Sequence, residues 1–144
     1  MIKWFGRKQL QLATACLAMT LAGCALLVCP YSETAYQMST AAKAETLTIM
    51  TKATEPYVTH AVDVAALKLD LAKAQEYAKG RQRNDHAIEQ WNDLLLPDGH
   101  LLGGFLKRWE DKGKLDIAFI EEKTRQVGKA FDQIAPEGEV LVAR

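Results

Sequence analysis

The chain has 144 residues, 25% of them charged and 49% hydrophobic, which leaves room for one domain of ordinary globular composition. Eighteen cations balance eighteen carboxylates, but Lys3, Arg7 and Lys8 crowd the first eight residues; without them fifteen cations face eighteen carboxylates, a net charge of −3. That balance argues against nucleic-acid binding, which needs a basic surface to neutralise many phosphates, and against electrostatic docking on anionic lipid.

The first eight residues hold three cations and no acid, and an apolar run follows from Leu10 to Ala22. A basic start, an apolar middle and a small-residue end make the order of a secretory signal. The run closes on Leu21-Ala22-Gly23-Cys24, which resembles the lipobox of bacterial lipoproteins at all four positions. The small residues let a peptidase reach the backbone, and the thiol is the site of acylation. The resemblance covers the first 24 residues. It implies cleavage between Gly23 and Cys24, a diacylglyceryl thioether on Cys24 and commonly a third acyl chain on the new amino group. One acyl chain binds a bilayer only marginally, whereas two or more hold durably. Ala25 stands where an aspartate would retain an enterobacterial lipoprotein at the inner membrane. The implied destination is therefore the outer membrane of a bacterial cell envelope, with membrane lipid as the partner of acylated Cys24.

A second reading stays open. Residues 10–28 form an apolar stretch of 19 residues, long enough to span a bilayer uncleaved. With Lys3, Arg7 and Lys8 kept inside, the domain would lie on the same side of the membrane as in the lipoprotein. Ala42-Lys43-Ala44 has the form of an ordinary cleavage site but lies about twenty residues beyond the apolar core. The expected organisation is a signal peptide over 1–23, a lipidated tether over 24–30 and a helical domain over 31–144. Cysteines occur at 16, 24 and 29 and nowhere later, so no disulfide staples the domain. Cys29 is either an unpaired thiol in the tether or an intermolecular bridge.

Between Tyr31 and Leu96 the chain has one proline, Pro56, and one glycine, Gly80, and is rich in helix formers. Tyr31, Ala35, Met38, Ala42 and Ile49 keep helical spacing and predict a first helix, with Glu45 interrupting the stripe and a β-branched end at 47–51. Thr54-Glu55-Pro56 predicts the start of a second helix, capped by the threonine hydroxyl and running to Lys79 before Gly80. That helix has two apolar stripes, Val58-Val62-Ala65-Leu69-Ala72 and Val64-Leu67-Leu71-Ala74-Ala78. Taken as neighbours, they predict one wide buried face. Asn84 caps a third helix carrying Ile88, Trp91 and Leu95; Pro97-Asp98-Gly99 is a turn. A fourth helix over 101–112 carries Leu102, Phe105, Leu106 and Trp109 and stops at Gly113. The last helix carries Ile117, Ile120, Thr124, Val127, Phe131 and Ile134 at alternating steps of three and four, the rhythm of a packed seam, and residues 139–144 are expected to be a loose tail. The expected fold is an all-α bundle of four or five helices.

No catalytic signature stands out. His60 has Asp63 one turn on, His86 follows Asp85 with Glu89 beyond, and His100 follows Asp98, but none sits in H-E-x-x-H or Glu-x-x-His. Each is expected to be a solvated neighbour of its acid; no metal and no cofactor are expected. G-x-S-x-G is absent, and Gly103-Gly104 lacks the pattern of a phosphate loop. The pair is expected to let two helices approach closely or to mark a helix break. Lys79, Arg81 and Arg83 suit the negative end of a helix dipole. One cluster remains: Trp91, Phe105, Arg108 and Trp109 combine the residue types enriched at binding hot spots, although the aromatics also lie on apolar stripes. The sequence therefore predicts a non-enzymatic envelope lipoprotein whose helical domain binds another envelope protein, as an adaptor or exclusion factor. The alternative is a bundle that carries a small apolar ligand in a core lined by Phe105, Trp109 and Val127.

Overall fold

The computed structural model describes residues 29–134, so Cys24, its lipobox and the 139–144 tail lie outside the described residues. From Tyr31 onward the chain is a unit of its own, and five α-helices account for its order: α1 (Glu33–Thr51), α2 (Tyr57–Lys79), α3 (Asp85–Leu95), α4 (Leu102–Lys112) and α5 (Ile117–Ile134). No strand occurs among the described residues, and the fold is an all-α bundle. No helix among them is long and apolar enough to cross a membrane.

Helix α1 starts at Ser32, whose hydroxyl accepts from the amide of Ala35 at 3.2 Å, satisfying one of the orphan donors of the first turn. Ser32 also shares a hydrogen bond with the Tyr77 hydroxyl at 3.1 Å, while Lys52, just past the far end of α1, pairs with Asp63. The two contacts make α1 and α2 antiparallel. Lys43 pairs with Asp132, and Leu47 lies against Gly128, so α5 also runs antiparallel to α1 on another side. The buried stripe of α1 is Ser39, Ala42, Thr46, Ile49 and Met50. Tyr31 falls outside it and is exposed, because the chain is not yet helical there. Ala42-Lys43-Ala44 lies inside α1 with Ala42 buried. The β-branched end does not fray: the helix holds to Thr51 and passes into a 3-10 turn, Lys52–Thr54.

That turn replaces the expected threonine cap. Pro56 occupies the cap position of α2, and no side chain accepts from its first-turn amides. The start of α2 is held instead by the far end of α4. The Tyr57 amide donates to the Gly113 carbonyl at 2.7 Å, and the Leu115 amide to the Ala53 carbonyl at 2.8 Å. The Trp109 indole donates to the Glu55 carbonyl at 3.0 Å. At its other end α2 stops at Gly80 as expected. Asn84 precedes α3, but its amide is not spent on α3; it donates to the Ala78 carbonyl at 2.9 Å and so closes the end of α2.

The core joins Ile49 and Met50 of α1, Val64, Leu67 and Leu71 of α2, Trp91 and Leu94 of α3, four residues of α4, and Ile120, Val127 and Phe131 of α5. Trp91 meets Phe131 edge-on with centroids 5.8 Å apart, and Phe105 stacks on Phe119 at 6.1 Å. All four apolar residues expected to line α4 are buried. In α5 the seam begins one turn late, since Ile117 is exposed on the first turn. Gly128 sits inside α5, and a Cβ built there meets only the Leu47 methyls, at 4.0 Å. A mid-helix glycine costs about 0.5–1 kcal/mol relative to alanine. Gly128→Ala is therefore expected to raise unfolding stability by about that amount, read as a higher urea midpoint at unchanged slope.

Candidate functional site

The residues that sequence grouped as a binding cluster do not form a surface. Trp91, Phe105 and Trp109 are buried to within 2% of full exclusion, because their helices face them inward to fill the bundle. Arg108 alone reaches the exterior, where its guanidinium lies over the Phe119 ring at 4.5 Å. Trp109 works as a latch, with Tyr57 edge-on at 5.4 Å and the His60 ring 5.8 Å away. Phe105, Trp109 and Val127, expected to line a ligand site, are all core residues.

The histidines lie on separate elements. His60 is in the second turn of α2 and is not solvated as expected: its side chain is only 13% exposed, with Nε2 2.8 Å from Glu55 and Nδ1 3.7 Å from Asp63. The Trp109 ring and the Glu55 loop cover it. His86 and His100 are exposed, on α3 and on the turn before α4. Among the described residues no group of three histidine, cysteine or acidic side chains is placed to hold a metal ion.

What the structure exposes is the outer face of α2. At 3.6 residues per turn, Val64 stands about 200° round the helix from Val62. The two apolar stripes are therefore opposite, not adjacent, and only one can face the bundle. Val64, Leu67, Leu71, Ala74 and Ala78 do so. Val58, Val62 and Leu69 are left 80%, 82% and 58% exposed, with Ala65 and Ala72 between them also exposed. The steps are four, three, four, three, a coiled-coil seam that spans about 21 Å at 1.5 Å per residue. By the same helical arithmetic Lys68 and Lys79 border one side of it and Lys73 the other, while Asp63 and Asp70 lie farther round, toward the buried stripe. The signal was in the sequence as the two-residue offset between stripes. Which stripe turns outward was not.

Beside this seam a groove of about 470 Å³ opens between α2 and α4. Leu71 and Ala72 form one wall, Leu102 and Leu106 the other, and Leu95 with Pro97 close one end. Lys68, Lys107 and Glu110 stand on its lips. Lys107 is paired with Asp111. Glu110 faces Tyr57: burial, then the charge and hydrogen bond of Glu110, hold that phenol above its ordinary value. Gly103 and Gly104, in the first turn of α4, make the end wall possible. A Cβ on Gly104 would lie 1.9 Å from the Gly99 carbonyl oxygen, and one on Gly103 would lie 2.4 Å from those of Leu95 and Leu96. The pair thus serves close approach of α4 to the turn before it, rather than the approach of two helices or the helix break expected of it.

No protein-family model matches the chain, and neither a curated protein nor a solved structure resembles it.

Proposed function

We propose that the protein is a non-enzymatic lipoprotein of the bacterial envelope, acylated on Cys24, whose helical domain docks an amphipathic helix of another envelope protein on the outer face of α2. The observation that carries the docking reading is the exposed seam of Val58, Val62, Ala65, Leu69 and Ala72. Isolated exposed apolar residues are ordinary on any surface; a two-heptad row of them with alanines between is a helix-packing surface without its helix. The alanines allow close approach, and the lysines on both sides of the seam, Lys68 and Lys79 on one and Lys73 on the other, favour a partner helix whose apolar stripe is flanked by acids.

Magnitudes connect the seam to the anchor. Burying two valines and a leucine is worth roughly 5–8 kcal/mol, against roughly 4–15 kcal/mol for the lost freedom of association. Free in solution such a contact is weak. Confinement at one membrane raises the local concentration of both partners and makes a weak contact sufficient. Lipobox and seam therefore support each other.

Two experiments test the two halves. Metabolic labelling with a fatty acid is expected to be lost in Cys24→Ser and kept in Cys29→Ser; a chain that takes no label and keeps Met1 overturns acylation in favour of an uncleaved span. A photo-crosslinking residue at position 62, irradiated in intact cells, is expected to give one dominant adduct with a second protein. Adding Leu69→Lys should abolish that adduct while shifting stability by no more than about 0.5 kcal/mol. A dominant adduct at twice the chain's own mass, or a scatter of minor ones, overturns the docking reading.

A further inference from the structure

We propose that the groove between α2 and α4 is a binding site for a single straight-chain fatty acid, its alkyl chain between Leu71 and Leu106 and its carboxylate on Lys68. This site adjoins the α2 seam: Ala72 belongs to both, and Lys68 stands between them.

Three observations select that ligand. The first is size: the groove holds about 470 Å³, which falls within the range of small-molecule sites. The second is the lining. The walls and end are Leu71, Ala72, Leu95, Pro97, Leu102 and Leu106, aliphatic throughout. Gln75, the polar residue beside them, already donates to Asn92 at 2.9 Å. Such a wall suits a flexible alkyl chain and offers little to a polar or aromatic body. The third is charge. Of the three ionised groups on the lips, Lys107 is paired with Asp111, and Glu110 faces the phenol of Tyr57, a neutral neighbour that does not offset a carboxylate. Lys68 has no ion pair among the described residues. One uncompensated ammonium at the mouth of an apolar slot complements one carboxylate at the end of a chain.

The test uses the full chain in washed membranes, to which a diazirine-bearing analogue of palmitic acid is added as the free acid and irradiated. Washing removes the cofactors that would let the probe enter Cys24 acylation. The expected adducts map by mass spectrometry to α2 around Leu71 and α4 around Leu102–Leu106, saturate with added probe and are competed by excess palmitate. Lys68→Glu is expected to raise the half-saturating probe concentration about tenfold, and the methyl ester of the probe to bind wild type as weakly. Ala72→Trp, at an exposed helix position, should fill the slot and abolish the adduct, with helicity by circular dichroism unchanged. Val62→Lys, on the seam, should leave labelling as in wild type. Labelling that palmitate does not compete, or that persists in Lys68→Glu and Ala72→Trp, overturns the proposal. So does preferential labelling by the same chain carried in phosphatidylethanolamine. Because the groove does not depend on acylation, Cys24→Ser should label equally, which separates failure of this site from failure of the anchor.

Discussion

Trp109→Ala is expected to cost the domain about 4–5 kcal/mol. Truncating a buried tryptophan removes about 3–5 kcal/mol through lost transfer energy and the cavity left behind. Here the loss reaches further than volume. The indole is fully buried and is the donor to the Glu55 carbonyl in the connection that leads into α2. Tyr57 and His60 both rest on its ring. Helix α2 has no side-chain cap of its own; the Gly113 carbonyl accepts from its Tyr57 amide, and the Trp109 contacts keep α4 in place for that bond. Against a typical total of about 5–15 kcal/mol, the loss corresponds to a melting temperature lower by more than about 15 °C. Thermal unfolding followed by far-ultraviolet circular dichroism reads it. Trp109→Phe keeps most of the volume and loses the donor, so it should fall between the two. Equal stability of Trp109→Ala and wild type would mean that the α2 start is held without the latch.

Gly104→Ala is expected to cost about 3 kcal/mol, as much as a large core truncation, for a single added methyl. The atom that methyl meets, at 1.9 Å, is the Gly99 carbonyl oxygen, with the Gly99 carbonyl carbon at 2.9 Å. Both belong to backbone, so relief requires α4 to retreat from the turn before it. Overpacking of a tight contact costs about 1–3 kcal/mol and more where backbone must move. The retreat would also pull Leu102 and Phe105 from the core and widen the end of the groove at Leu95. Chemical denaturation checks the magnitude. Comparison with Gly128→Ala, the same chemical change in open space, makes the sign of the two effects the discriminating result. If both alanines stabilise, the close approach is not a constraint on the fold.

Helix type and helix ends were largely readable from the chain, because they depend on local terms. Gly80 and Gly113 stop α2 and α4 where expected, and Leu102, Phe105, Leu106 and Trp109 keep a helical rhythm that allows one inward face. Caps were read less well. Asn84 stands at the right position, yet its amide goes to the Ala78 carbonyl, a partner six residues back that no capping rule anticipates. Thr54 yields to a 3-10 turn because the start of α2 is satisfied from α4. The hot-spot cluster failed for a related reason: tryptophan is as much a core residue as an interface residue, and composition does not distinguish the two.

By itself, then, the sequence determined a domain without cysteine beyond Cys29 and a set of helices with their apolar stripes. Those features follow from residue types and spacings along one chain. Tertiary structure alone decided which of the two opposite stripes of α2 is spent on the core and which is left outside as the Val58–Val62–Leu69 seam. It also decided that α2 and α4 stand far enough apart to leave a groove with Lys68 at its lip. The physical reason is that a helix with two apolar faces gains by burying either one. Only the shapes and positions of the other four helices select between them.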